Sequence, residues 1–254
     1  MSGMKDLVHT AYLKKLEDKR SLPELGWRER TVAIIGSDSS LNVGANVALQ
    51  VAELGARVIE GDRHAPEWKW NKFQYTCDEA TDLVICCSSI QMDWIENMQY
   101  SDMERVVHDT LVDPMHYTSV FAERKMNRDF RKHIVFIGSM AYRQVLNASS
   151  AYCAAKAGLA HYARCAAWEL TPKGFTIGIV HPGNIENTPM TENTIDGIAT
   201  YRNLTTEEAR DYWASLKLTD KWLSAADVAK EVVYLLTSSP HHSGVQVELG
   251  GGLR

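Results

Sequence analysis

The sequence predicts an α/β fold, a single-domain doubly wound parallel sheet, on three observations. Short apolar runs recur at residues 31–35, 57–59, 83–87, 134–137, 175–180 and 245–249. Most are continuously apolar rather than alternating, the pattern of parallel strands covered on both faces. Stretches with helical periodicity lie between them, at 43–54, roughly 102–125, 151–170 and 227–237. Strands alternating with helices fold into a parallel sheet with helices on both sides.

The elements follow in order. Residues 5–20 read as an amphipathic helix with Val8, Tyr12 and Leu16 on one face, and Ser21, Pro23 and Gly26 break the chain after it. Residues 1–29 are thus expected to form a helical extension that packs on the domain or on a neighbouring subunit, and 30–254 the domain proper. Ser224, followed three residues later by Asp227, is a cap for the last helix. Residues 185–223 carry a helix near 207–216 but no strand, and form a lobe over the carboxyl ends of the strands. Its Tyr201, Tyr212, Trp213 and Trp222 either line an apolar pocket or simply pack.

Composition narrows the function classes. The 254 residues are 45% hydrophobic and 23% charged, enough for one sizeable core. A net charge of −5 carries no electrostatic footprint for nucleic acid or an anionic membrane. Charges at Lys5, Asp6, Lys14, Lys15, Glu17 and Asp18 argue against a secretory signal, and no run approaches the roughly 20 apolar residues of a membrane span. The five cysteines are odd in number and lack metal-ligand spacing, so they read as reduced thiols and no metal is expected. These readings point to the cytoplasm.

The first strand runs into Gly36-Ser37-Asp38-Ser39-Ser40-Leu41-Asn42-Val43-Gly44, and a helix follows. A small-residue loop at such a junction lets backbone N–H groups and the helix N-terminus face a pyrophosphate. The usual G-x-G-x-x-G spacing is absent, so a ligand-free loop is the competing reading. Context favours the nucleotide. The turn at Gly55 leads into a second strand ending at Asp62, within about 20 residues of the loop, where an acid binds the ribose 2′-hydroxyl of NAD. A carboxylate there repels the 2′-phosphate of NADP, whereas Arg63 beside it keeps NADP open; a solvated turn aspartate is the plainer alternative.

The strand at 134–137 delivers Ser139 at its carboxyl end. Tyr152 comes thirteen residues later and Lys156 four further on. On a helix an i,i+4 pair shares one face, so phenol and ammonium can meet. A free phenol has a pKa near 10, and an adjacent cation favours its charged form. Tyr152 can then exchange a proton with a substrate oxygen near neutral pH, with Ser139 hydrogen-bonding that oxygen. A lone Y-x-x-x-K is common on surface helices, but here the serine spacing, the preceding strand and the Ala-rich helix agree with it.

At this point the chain resembles the short-chain dehydrogenase/reductase family, over nearly all of residues 30 to 252. The family's Ser, Tyr and Lys have the spacing of Ser139, Tyr152 and Lys156, and the resemblance implies that Lys156 also binds the nicotinamide ribose. His181-Pro182-Gly183-Asn184-Ile185 looks like the family's Pro-Gly turn beside the nicotinamide, which implies cofactor contacts from Pro182, Gly183 and Ile185, with Thr188 and Met190 close by. Residues 245–249 followed by Gly250-Gly251-Gly252 resemble its closing strand and tail.

The chain also departs from the family. Its glycine loop is two residues longer than the common form and resembles a divergent branch that contains bacterial enoyl reductases. The family's Asn-Asn-Ala-Gly appears as Cys86-Cys87-Ser88-Ser89, where Cys87 and Ser88 would lie along the cofactor. A further catalytic asparagine has either Asp113 or no residue in its place. Only 23 residues separate Asp62 from Cys86, where the family has a third strand and a crossover helix. A strand at 73–77 would leave five residues, reaching at most about 18 Å, to cross roughly 14 Å of sheet and return along a strand's length. The crossover helix is therefore expected to be missing and the third strand absent or repositioned.

Together these readings predict an NAD-dependent oxidoreductase that interconverts a secondary alcohol and a ketone, without nucleic-acid or membrane partners. The small residues along 151–167 suit a homodimer or homotetramer. Two other readings stand beside it: a non-catalytic nucleotide-binding or assembly protein, and a lyase like the halohydrin dehalogenases, which have Arg where Lys156 stands.

Overall fold

A computed structural model describes residues 22, 24–36, 42–61, 76–125, 129–217, 219 and 221–250 of the chain. Among them six strands form one parallel sheet: β1 Thr31–Ile35, β2 Arg57–Gly61, β3 Asp82–Ile85, β4 Lys132–Ile137, β5 Phe175–Pro182 and β6 Val245–Leu249. Their order is β2-β1-β3-β4-β5-β6. The helices are α1 Val43–Glu53, α2 Tyr100–Val107, α3 Asp113–Lys125, α4 Ser150–Leu170, α5 Pro189–Arg202, α6 Thr206–Ser215 and α7 Ala225–Leu235.

The apolar runs fold this way because both sheet faces are covered. On β1, Val32 and Ile34 pack with Val47 and Val51 of α1 and with Val228 and Val232 of α7. The alternate residues Ala33 and Ile35 join Phe121 of α3, Leu159 and Ala163 of α4, and Phe175. A strand buried on both sides has no face to spend on polar residues, so its sequence does not alternate. β1 is flanked by β2 on one side and β3 on the other, so the strand order reverses there. The helices that follow β1 and β3 lie on opposite faces of the sheet, and a crevice opens between them at the carboxyl ends, the position at which such sheets bind ligands.

At the opposite end of the sheet a buried ion cluster ties β1, β3 and β4 together. Asp82 Oδ1 accepts from the backbone N–H of His133 and lies 2.9 Å from its Nδ1, while Oδ2 accepts from Thr81 Oγ1 at 2.8 Å and Arg30 Nη1 at 3.4 Å. Arg30 also donates to the carbonyl of Leu236 at 2.6 Å. Burial pushes the Asp82 carboxyl up, but hydrogen bonding and charge from His133, with help from Arg30 and Thr81, outweigh it and hold the pKa below the usual range.

Several boundaries differ from the sequence reading. β3 ends at Ile85, so Cys86 and Cys87 lie beyond the strand in the loop that lines the crevice. The predicted helix at 102–125 is interrupted by a π-helical turn, His108–Val112. The lobe carries two helices rather than one, because α5 was missed. Its start has a local cause that periodicity does not reveal: the Thr188 side chain accepts from the N–H of Thr191, and Pro189 occupies the first turn, where its missing N–H costs nothing. The Ser224–Asp227 cap is present as a reciprocal capping box on α7. Residues 76–79 are helical and Cys77 is buried, so the described end of the 73–77 segment is not a strand. Among the described residues the sheet ends at β2. The 5–20 helix and the path from Asp62 to Tyr75 lie outside the described residues. No described helix is long and apolar enough to cross a membrane.

Candidate active site

Two cavities open at the carboxyl ends of the strands. One, about 480 Å³, lies in the crevice beside β1 and β3 and is lined by Gly36, Asn42, Val43, Cys86, Cys87, Ser88, Ser89, Lys156, Pro182 and Ile185, among others. The other, about 270 Å³, lies under the α5–α6 lobe. They share Ser139 and Tyr152 in their common wall, with Ile90, Ile185, Thr188 and Met190 around them.

Ser139 follows β4 by two residues and caps the short turn Met140–Tyr142, its Oγ accepting from the N–H of Ala141 at 3.2 Å. Tyr152 and Lys156 stand on the buried face of α4. The Lys156 ammonium is 1% exposed, a burial that demands a partner, and it donates to the carbonyl of Ile137 at 2.9 Å. It also lies 5.7 Å from the centroid of the Tyr152 ring.

The expectation that this cation lowers the Tyr152 phenol is not met. Burial dominates and raises the pKa, with hydrogen bonding from Ser139 and Ser88 pulling only partly the other way. Lys156 is not among the groups that move the phenol: its ammonium donates to the Ile137 carbonyl and lies over the Tyr152 ring. In this arrangement Tyr152 is a protonated group facing the wall that both cavities share.

The nucleotide end is placed as follows. Gly36 has φ +88°, and a Cβ there would come within 3.1 Å of the backbone of Cys86, so only glycine lets the two loops approach. Asn42 caps α1, its Oδ1 accepting from the N–H of Ala45 at 2.9 Å while its Nδ2 donates to the Gly36 carbonyl. The asparagine thus shapes the loop as well as lining the cavity. Gly183 does not line either cavity; its N–H donates to the carbonyl of Leu249 at 2.8 Å and so docks the Pro-Gly turn onto β6. Ser37 and Asp62 lie outside the described residues. A dinucleotide fits the remaining features: a glycine-shaped cradle, the N-terminus of α1 in its wall, and the Ser89 hydroxyl, buried there without a hydrogen-bond partner among the described residues.

Asp113 is not the asparagine equivalent. Its carboxylate meets His108 Nδ1 at 3.3 Å and lines neither cavity. Thr110, inside the π turn and fully buried, faces the loop after β3 instead: its Oγ1 accepts from the N–H of Ser89 and donates to the carbonyl of Ser89, both at 3.2 Å. No spacing rule singles out a threonine in mid-helix. Arg105 and Asp109 were also missed, and they bring charge to the nucleotide cavity. Of the lobe aromatics, Tyr201, Tyr212 and Trp213 line the second cavity, whereas Trp222 packs on Trp213 with centroids 4.7 Å apart.

His181 on β5 is the other residue that sequence reasoning passed over. Gln246 Nε2 donates to the carbonyl of Ala160 at 3.1 Å, which turns its Oε1 toward His181 Nε2 at 3.2 Å. With Nε2 protonated toward Gln246, Nδ1 accepts from the N–H of Ser139 at 3.3 Å, and the Ser139 carbonyl lies 3.2 Å from the same nitrogen. Burial, above all, brings the imidazole pKa down to about 4, so it stays neutral. Replacing His181 by Phe, which keeps a ring against Tyr142 but offers Ser139 no acceptor, is expected to lower kcat by roughly tenfold with cofactor affinity unchanged. His181→Asn, which retains an acceptor near Nδ1, should lose much less. Steady-state kinetics of both variants with a cofactor titration checks this.

A family model described as short chain dehydrogenase matches residues 79–198. A 3-oxoacyl-[acyl-carrier-protein] reductase of Haemophilus influenzae is 27% identical over 149 residues, 58% of this chain and 56% of that protein. A benzil reductase ((S)-benzoin forming) of Bacillus cereus is 27% identical over 157 residues, 61% of each chain. The match thus spans less than two thirds of these relatives' length. Among solved structures, the ligand-free aldohexose dehydrogenase of Thermoplasma acidophilum superposes with TM-score 0.74 at 19% identity, covering 89% of this chain and 94% of that one. A variant of the actinorhodin polyketide ketoreductase with NADPH gives TM-score 0.76 at 18% identity, covering 89% and 98%. The structural likenesses show a shared fold, and the matched family model and the two relatives make the chain similar to the short-chain dehydrogenase/reductase family across residues 79–198.

Proposed function

We propose that the chain is an NAD(H)-dependent oxidoreductase that interconverts a secondary alcohol and a ketone, with Tyr152 as the proton donor and acceptor. The observation that carries this reading is the shared wall: Ser139 and Tyr152 border both the nucleotide crevice and the lobe cavity. A molecule in each cavity would meet at those two hydroxyls. A nicotinamide bound in the crevice supplies or takes the hydride. The protein's part is to hold the carbonyl oxygen between the Ser139 and Tyr152 hydroxyls and to pass it the phenol proton. Lys156 and the Ile137 carbonyl fix the helix face on which the phenol stands. Burial keeps the phenol protonated, the form that ketone reduction uses, and both curated relatives named above are reductases.

Energy transfer from the protein's tryptophans to bound NADH or NADPH tests the cofactor half of this reading, and binding of neither would sink it. The choice between them rests on Asp62. Asp62→Ala is expected to narrow or reverse a preference for NADH, measured as the ratio of the two dissociation constants; an unchanged ratio would place the ribose contact elsewhere.

A further inference from the structure

The lobe cavity has a composition that the reaction type does not require. Its described lining contains no Asp, Glu, Lys, Arg or His. Apolar side chains make most of the wall: Met92, Val145, Leu146, Ile198 and Trp213, with the rings of Tyr201 and Tyr212. Many of its polar groups are already engaged. The Thr188 and Thr191 hydroxyls bond each other at 2.8 Å, and Thr191 also donates to the carbonyl of Ile185. Thr194 donates to the carbonyl of Met190 at 2.8 Å, and Ser149 to that of Asn147 at 3.2 Å.

One lobe cation is held behind the wall. Arg202 donates to the Tyr212 hydroxyl at 2.7 Å and its guanidinium carbon lies 4.0 Å from that ring's centroid, but Arg202 does not line the cavity. Lys156 is turned to the Ile137 carbonyl on the cofactor side. A carboxylate or phosphate entering the lobe cavity would lose its water and find no counter-charge, which is costly in an apolar enclosure. At about 270 Å³ the space is at the lower end of small-molecule pockets.

We propose that the substrate is an uncharged, predominantly apolar ketone of one or two rings, seated against Met92, Ile198 and Trp213, with its carbonyl at Ser139 and Tyr152. The half-buried amide of Asn184 in the same wall suits a second neutral oxygen on the substrate. This rests on the oxidoreductase reading above, but the pocket's selectivity can be measured apart from turnover.

The experiment compares acetophenone and a phenyl-substituted vicinal diketone with para-acetylbenzoate and fructose 6-phosphate. Initial rates are measured on the wild-type protein with whichever nicotinamide cofactor it binds, and affinities by calorimetry on cofactor-saturated Tyr152→Phe. The neutral aromatic ketones are expected to exceed para-acetylbenzoate by roughly a hundredfold in kcat/KM and in affinity. Met92→Lys, which puts a cation in the wall, should shift that ratio toward the carboxylate by at least about tenfold. Equal or better handling of the charged ketones by the wild-type protein, or failure of every neutral ketone to bind, overturns the proposal. Neutral ketones that bind selectively but are not turned over would leave the pocket assignment standing and remove the oxidoreductase reading.

Discussion

Tyr152→Phe is expected to lower kcat/KM for ketone reduction by about a thousandfold or more, at the upper part of what one positioned acid contributes, while cofactor affinity changes by less than about twofold. The ring remains in place, so the walls of both cavities are preserved, and only the hydroxyl at their junction is lost. The measurement is steady-state rate alongside cofactor titration. Retained turnover would show that the proton comes from another group. The pKa direction adds a second readout. Because burial raises the phenol above its ordinary value near 10, the neutral acid persists through neutral and mildly alkaline pH. Reduction should therefore be nearly independent of pH from about 6 to 9. Alcohol oxidation, which needs the phenolate, should climb with pH over the same interval.

The second large effect concerns stability. Asp82→Ala takes from Arg30, 3% exposed, and His133, fully buried, the buried acceptor they share, leaving the partly exposed Glu24 as the carboxylate they still reach. Removing one partner of a buried ion pair costs about 3–5 kcal/mol, because the surviving charge is stranded. In a chain of this size that corresponds to a fall in Tm of roughly 10 °C. The cluster sits at the amino ends of β1, β3 and β4, a strand's length from Ser139, so kcat measured well below the transition should be unchanged. The same carboxylate gives a pH signature. Its folded pKa lies below the unfolded value, so its contribution is present above the unfolded pKa and is lost as pH falls through the folded one. The buried neutral His181, with a folded value of about 4, adds a loss between about 6.5 and 4, where only the unfolded state takes up the proton. Chemical denaturation across this range should show stability falling on acidification, less steeply below pH 6 in His181→Asn.

The strands, and the placing of Ser139, Tyr152 and Lys156 at one site, were legible because each is written in local chemistry. Continuous apolar runs such as Val32–Ile35 mark burial on both faces, and Ser139, Tyr152 and Lys156 depend on one strand end and one helical turn. What escaped depends on partners distant in the chain. Thr110 matters through Ser89, twenty-one residues away, and His181 through Gln246, sixty-five away. The direction of the Tyr152 shift was misjudged for the same reason: spacing places Lys156 on the phenol's face, but burial by elements distant in the chain outweighs any help from a neighbouring cation. The start of α5 was missed because its signal is a cap rather than a periodicity, and Asp62 and the stretch that follows it lie outside the described residues.

If Ser139 acts as proposed, the Ala160–Gln246–His181–Ser139 chain would tie β6, one of the two edge strands of the described sheet, to the catalytic serine. Gln246 sits on β6, which has only β5 for a neighbour among the described strands. An edge strand is the cheapest part of a sheet to peel away, since releasing it breaks one ladder rather than two. Slight loosening of β6 would deprive the serine of its backbone support long before the bulk of the secondary structure melts. Enzymatic rate is thus the more sensitive gauge of this edge, and on gentle heating activity should decline ahead of the circular dichroism signal.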